Sequence, residues 1–206
     1  MGLITLDCIY RVDHVPSSDE KIVAADSLLV AGGPATNAAI AFAALGNRAT
    51  VAGALGQHPL AALIRTELAT YGIDVVDLTP DLQASPPLST ILVTATTGDR
   101  AVVSRNAVGR QGQPPADLAP LLQAIDIVLI DGHQMAVSEA IARQAKAQNI
   151  PIVVDAGSWK PGFETVLPLA TSVIAAAKFR LPDQSDTPAA LSDLGIAEVA
   201  ITHGPH

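Results

Sequence analysis

The chain has 206 residues, 49% of them apolar and 3% aromatic, with 12 Lys and Arg against 20 Asp and Glu for a formal net charge of -8. That balance repels nucleic-acid phosphate and anionic lipid, and no local run of basic residues offsets it. The lone Cys8 excludes an intrachain disulfide, the five His share no metal spacing, and no apolar run reaches the ~18–20 residues of a membrane span.

Without a basic, then apolar, leader, a cytoplasmic protein is the expectation, folded as a single domain over 1–206. Cys8 reads as a small buried thiol. Gly2–Tyr10 predicts a strand running into extended chain, and Val23–Val30 predicts another, ending at Ala31-Gly32-Gly33-Pro34. Ala35–Leu45 is almost wholly small and apolar, which predicts a helix buried on most of its surface with Gly46 as its C-terminal cap. A strand at Thr50–Leu55, a helix at Leu60–Tyr71 closed by Gly72, and a strand at Ile73–Leu78 follow. Ser89–Ser104 places the turn Thr97-Gly98-Asp99-Arg100 between β-prone runs and predicts a hairpin. With the extended Tyr10–Val30 region it forms a small separate sheet of about four strands, suited to act as a lid. Gln111–Pro120 reads as a loop. Apolar strands at Ile125–Ile130, Ile150–Val154, Val173–Ala177 and Glu198–Thr202, with a helix at Val137–Gln148, then predict an α/β core with a mostly parallel sheet.

The stretch Ala31-Gly32-Gly33-Pro34-Ala35-Thr36-Asn37 is the most informative. Two glycines at a strand end let backbone approach a ligand, and the following helix turns its N-terminus there. Asn37 adds a donor and an acceptor, as a polyhydroxylated ligand requires. The same residues suit a structural turn before a buried helix, and Gly-Gly alone favours that account. Asp7 is a candidate substrate contact ahead of the lid, or a strand-end cap. Asn106, just past the hairpin, is a substrate contact or an ordinary loop residue. Asp131 and Asp155 end adjacent apolar strands, where α/β sheets place ligands. His133 is a ligand contact or a half-buried ring without a role, and Lys160 is a phosphate contact or, the favoured account, a solvated side chain.

Taken in order, these features resemble the ribokinase-type (PfkB) carbohydrate kinases. Gly2-x-x-x-x-Asp7 resembles that family's opening, and Gly32-Gly33-x-x-x-Asn37 its first motif. Gly53-Ala54-Leu55-Gly56, Tyr71-Gly72-Ile73 and Gly98-Asp99-Arg100 resemble the elements that follow. Asp131-Gly132-His133 and Val153-Val154-Asp155-Ala156-Gly157-Ser158 are similar to strand ends of ketohexokinase-like members, and Ile201-Thr202-x-Gly204 to the strand end that begins nucleotide binding. The resemblance implies a three-layer α/β/α fold with lid strands within about 9–30 and 88–106. It implies a sugar held by Asp7, Gly32, Gly33, Asn37 and Asn106, nucleotide contacts at Thr202 and Gly204, ATP and Mg²⁺ as cofactors, and a homodimer through the lid.

Several positions depart from the family pattern. No Gly-Ala-Gly-Asp turn, which carries the family's anion hole and catalytic Asp, occurs in the sequence. Where the family has Asn-x-x-Glu, this chain reads Ala176-Ala177-Lys178-Phe179, and Gln57-His58 follows Gly56 in place of an Asp. Little chain precedes Gly2. The expectation is therefore an incomplete or inactive form, lacking the C-terminal nucleotide-binding portion, with a non-catalytic sugar-binding or regulatory protein as the alternative and an unstable fragment as a third reading.

Overall fold

The computed structural model describes residues 1–105, 107, 109–184 and 186–204. Asn106 lies outside the described residues. The chain divides into two compact units, Ile4–Gly109, and Met1–Leu3 together with Arg110–His206.

The first unit runs β1 (Thr5–Val12), β2 (Asp26–Gly32), α1 (Pro34–Ala44), β3 (Thr50–Gly53), α2 (Pro59–Thr70), β4 (Asp74–Asp77), β5 (Leu88–Thr94) and β6 (Arg100–Arg105). A four-stranded lid sheet takes the order β2-β1-β5-β6, and β3 pairs with β4 in parallel. β1 runs antiparallel to β2 and parallel to β5, while β5 and β6 form the hairpin about Gly98. Helix α2 turns Ala61, Ile64 and Leu68 inward, one apolar stripe at helical spacing. That stripe packs with Ile4, Leu6, Val51 and Leu55 into one core. His58 caps α2 by accepting the Leu60 N–H on Nδ1 at 3.2 Å.

Helix α1 departs from the expectation of near-complete burial. Only Ala35, Thr36 and Ala39 are buried, on the stripe that packs against the strands. Phe42 and Leu45 face outward, Leu45 at 81% exposure. A run of small apolar residues has no polar face to announce which side turns out, so composition alone overstates its burial.

The second unit runs α3 (Ala119–Leu122), β7 (Val128–Ile130), α4 (Met135–Ala147), β8 (Ile152–Ala156), α5 (Phe163–Val166), a 3₁₀ turn (Leu167–Leu169), β9 (Ser172–Ala176), α6 (Thr187–Asp193) and β10 (Glu198–Thr202). Its four strands are all parallel in the order β10-β9-β8-β7. Helix α4 buries Val137, Ser138, Ile141, Ala142 and Ala145. Burial alternates along β8 and β9, so one face is packed and Ile174 on the other is 42% exposed. Phe163, Phe179 and Trp159 stack within 6.2 Å of one another, and Phe163 meets Phe179 edge-on at 87°.

In the first unit, the Gly53–Gly56 turn hangs on one carboxylate. Asp77, at the end of β4, accepts the N–H groups of Leu55 (3.1 Å), Gly56 (2.8 Å) and Thr79 (2.9 Å). The Arg65 guanidinium reaches it at 2.6 Å, and the Asp77 side chain is only 8% exposed. Asp77→Ala therefore leaves several donors unmatched and should lower unfolding free energy by about 2–4 kcal/mol. Urea denaturation of the two proteins measures the difference, with Asp77→Asn, which keeps one acceptor oxygen, falling between them.

Candidate functional site

The site in the first unit is built on the end of β2. Asp7 sits in mid β1, opposite Val30, with its side chain on the same face as Thr5 and Gly32. Thr5 Oγ1 donates to Asp7 Oδ1 at 2.6 Å. The other carboxylate oxygen lies over the Gly32 Cα, and a Cβ built there would stand 2.0 Å from Asp7 Oδ2. Gly32 is thus required by close approach. Gly33 is required by conformation, since its φ of 98° is costly for a residue with a Cβ. From Gly33 the chain enters α1 with Pro34 in the first turn, and the Asn37 N–H closes that turn on the Gly33 carbonyl at 2.8 Å. The Asn37 side chain is exposed. Asp7, Gly32, Gly33 and Asn37 therefore form one corner.

A residue with no signal in the local sequence pattern also holds this corner. Glu67 of α2 accepts the Ala31 N–H on Oε2 at 2.5 Å. β2 is an edge strand, so this N–H has no ladder partner on that side and the carboxylate satisfies it. Glu67 lies 36 residues from Ala31, and no local pattern signals the pair.

The second unit gathers Asp131, His133, Asp155 and Lys160 at the ends of β7 and β8. Asp131 is buried and fully engaged. Its Oδ2 accepts the Leu3 N–H at 2.8 Å, and its Oδ1 accepts the His133 N–H at 2.9 Å and faces His133 Nδ1 at 3.0 Å. An ionised carboxylate only accepts, so Nδ1 carries the proton and Nε2 is the ring atom turned away from Asp131. The His133 side chain retains 13% exposure. Burial opposes the Asp131 charge, yet the His133 hydrogen bond and charge together with the Leu3 N–H outweigh it and hold the carboxyl below the usual range. Gly132, at φ 78°, rests on the Phe163 ring, where a Cβ would come within 2.4 Å. Gln134, buried and left-handed at φ 54°, accepts the Gly112 N–H at 2.6 Å and donates to the Arg110 carbonyl at 2.8 Å.

Asp155 stands in contrast to Asp131. Burial and then the Asp131 charge push its carboxyl up, only partly offset by Lys160 and His133. Lys160 is half-buried, not solvated as its sequence context suggests. Burial lowers its pKa against the pull of Asp131 and Asp155, and its Nζ stands 5.8 Å from the Phe163 ring centroid. Trp159 and Phe163 flank Lys160 in sequence, and the distant Phe179 completes the cluster beside it, which no local spacing announces.

Thr202 and Gly204 lie at the end of β10, where Thr202 accepts the Ala177 N–H at 2.8 Å and Gly204 has φ 75°. Beside them, a cavity of about 360 Å³ is lined by residues including Ala177, Arg180, Asp186, Ile201 and His203. It is of the size small-molecule sites take. Arg180 brings a cation to its wall, with NH1 held by the Ala177 carbonyl at 2.7 Å and the Phe179 carbonyl at 2.6 Å. That donor set is compatible with a phosphate-bearing ligand. Phe179, in the window where Asn-x-x-Glu is expected, is fully buried in the aromatic cluster and is a packing residue. Cys8 is half-buried on the lid, not enclosed in a core.

An α/β chain with a parallel sheet, a four-stranded lid and a Gly-Gly corner under an Asp has the ribokinase-like fold. The model of the pfkB family carbohydrate kinases matches residues 1–205, and the chain belongs to that family. A ribokinase candidate from Agrobacterium tumefaciens superposes with a TM-score of 0.85 at 26% identity, over 99% of this chain and 69% of that one. The Arabidopsis thaliana ribokinase complexed with ribose and ATP shares the fold at a TM-score of 0.73 and 17% identity, over 97% of this chain and 69% of its own. Mouse ketohexokinase is 28% identical over 103 residues, which is 50% of this chain and 35% of that protein. The chain thus matches about a third of the length of that curated relative.

The two carboxylates of the second unit give opposite acid responses. Stability from Asp131 is fully present above the unfolded value of about 3.9 and is lost as pH falls through its depressed folded value. Asp155 is raised, so the folded state takes up its proton above about 3.9 and gains relative stability as pH falls toward that value. Urea midpoints followed from pH 7 to pH 3 should therefore fall less steeply below about pH 4 in Asp131→Asn, whereas Asp155→Asn should fall more steeply than wild type just above it.

Proposed function

We propose that this chain carries the acceptor-sugar site of an ATP-dependent carbohydrate kinase. The observation that carries the reading is the Asp7 carboxylate seated on Gly32, beside the helix corner that presents Asn37. A carboxylate accepts from sugar hydroxyls and a carboxamide both donates and accepts, so a polyol finds matched partners there. Gly32 and Gly33 keep side-chain bulk out of the corner. In this reading the cavity beside Thr202 and Gly204 holds part of the nucleotide. ATP supplies the phosphoryl group that a sugar hydroxyl accepts, with Mg²⁺ accompanying it. His133 and Asp155 are the strand-end groups of the second unit that this reading offers to a ligand, with Asp131 orienting His133 and not touching the ligand itself, and residues 1–206 are read as one ribokinase-like domain.

The lid sheet also supports a homodimer in this reading. Opposed residues Leu29, Cys8, Thr90 and Val103 form a row on the sheet face away from Asp7, and Leu29 and Val103 at its ends are exposed. Light scattering on the purified chain should give twice the monomer mass, and Val103→Lys should return it to monomer.

The acceptor site is tested by calorimetric titration of the chain with sugars, beside an ATP-to-ADP turnover assay. Asp7→Ala should weaken sugar binding roughly 10- to 100-fold, the loss of hydrogen bonds to a charged group. Asn37→Ala should weaken it less, by roughly tenfold or under, at the wild-type melting temperature, and Asp7→Asn, which keeps an acceptor for the buried Thr5 hydroxyl, separates lost binding from lost stability. Sugar binding unchanged by either substitution would remove the corner from the site. Binding without turnover would place the chain with sugar-binding or regulatory proteins.

A further inference from the structure

The two side chains that the acceptor-site reading gives to a sugar stand on unequal supports. Asp7 is on β1, which has a strand on each side, and Thr5 Oγ1 donates to its carboxylate at 2.6 Å. Asn37 is carried by β2 through Gly32, Gly33 and Pro34. β2 is an edge strand, and two glycines in a row have no Cβ to limit the direction of the backbone. Ala31, the residue before them, is buried. It lies opposite Leu6 of β1, and its N–H turns away from β1 to Glu67 Oε2 at 2.5 Å. Glu67 thus takes the place that a further strand would occupy. It sits next to Leu68 of the buried stripe of α2, so its backbone is anchored in the core. No ion pair among the described residues involves Glu67.

We propose that Glu67 is a positioning residue of the sugar site, holding Ala31 so that Asn37 lies beside Asp7 and acting through Asn37 and not through Asp7. The proposal rests on the acceptor-site reading above. A carboxylate accepting from a backbone N–H makes a charge-assisted bond, stronger than a neutral one. Without it the buried Ala31 N–H has to find water or another acceptor, and the strand end shifts to do so. Gly32 and Gly33 follow at little cost, and the start of α1 moves with them. Ala35, Thr36 and Ala39 still pack α1 on the strands, so the displacement is small and the helix stays folded. A sugar that needs both groups at once must then reorder the corner as it binds, which lowers affinity. Asp7 keeps Thr5 and both neighbouring strands, so its own contact survives.

The test is calorimetric titration of the 206-residue chain with D-ribose and with D-fructose, well below the melting temperature, which is recorded for every protein. The variants are Glu67→Ala, Glu67→Gln and Glu67→Asp, and Glu67→Ala combined with Asn37→Ala and with Asp7→Asn. Glu67→Ala should weaken binding roughly three- to tenfold. Glu67→Gln keeps an acceptor at the same reach and should bind within about twofold of wild type. Glu67→Asp keeps the charge but falls one methylene short, and should weaken binding toward the Glu67→Ala value; it serves in place of Glu67→Ala should that protein not fold. The double variants carry the decision. In the Asn37→Ala background the Glu67 change should cost under about twofold more, because the group it positions is gone, whereas its full effect should persist in Asp7→Asn. A loss of stability alone would lower the melting temperature equally in all three backgrounds and leave these ratios untouched. If the Glu67 variants bind as wild type does while Asp7→Asn and Asn37→Ala weaken binding, the positioning role is refuted and the acceptor site stands. Losses at Glu67 and Asn37 that multiply in full also refute it. Failure of wild type to bind either sugar at millimolar concentration overturns both readings.

Discussion

The contact on which the candidate site depends is the Asp7 carboxylate lying where a side chain at position 32 would have to be. It makes the end of β2 a glycine position for a steric reason, independent of any turn preference. Glu67 grips the preceding residue through the Ala31 N–H. Two carboxylates from different elements thus fix one short piece of backbone. With that strand end held, the left-handed Gly33 can turn the chain into α1 in only one direction, and Asn37 is delivered to the same spot. The corner is preorganised by backbone and by half-buried acceptors, which costs a ligand less ordering than a site made of long mobile side chains.

The second unit repeats the device with different consequences. Asp131 closes on Gly2, where a Cβ would again come within 2.0 Å of the carboxylate, and it accepts two backbone N–H groups and a histidine ring. Burying a charge is unfavourable unless its lone pairs are met, and here they are met. Asp155, one strand over, lacks that set of donors and carries the Asp131 charge as a neighbour. The same residue type at adjacent strand ends is therefore held ionised in one place and pushed toward its neutral form in the other. Lys160, half-buried against Phe163, is the cation that both carboxylates act on. The environments divide the labour: Asp131 organises backbone and orients His133, and Asp155 and Lys160 offset part of each other's burial.

Much of this architecture was legible in the sequence because glycines punctuate it. Gly46 and Gly72 fall just past α1 and α2, and Gly98 sits in the β5–β6 hairpin, so those elements lie within a few residues of where pattern put them. Alternating apolar runs gave the parallel strands. The short helices α3 and α5 were missed because four residues are too few to show a helical period. Helix α6 did carry a signal, an Asp186 cap accepting the Ala189 N–H at 3.0 Å and a proline in the first turn, which the surrounding polar sequence masked. Of the site, Asp7, Gly32, Gly33 and Asn37 were readable as a motif. Glu67, the Leu3 contact of Asp131 and the Phe179 side of the aromatic cluster beside Lys160 were not, because each depends on contacts between residues distant in sequence.

The division between residues that hold the corner and residues that face a ligand carries a structural consequence. Thr5, Gly32 and Glu67 are spent on backbone and on Asp7 itself, and each is fixed by a contact that leaves little room for substitution. The lid strands beside them are different. Along β5 and β6, side chains on the Asp7 face stand on strands held by the ladder of backbone hydrogen bonds, with the Ser89 and Ser104 hydroxyls 3.1 Å apart. A change at such a position alters what the face offers without moving the strand that carries it. In the reading proposed above, the corner gives a polyol its fixed contacts, and the lid face beside it can change in side chain while the Asp7 carboxylate stays seated on Gly32.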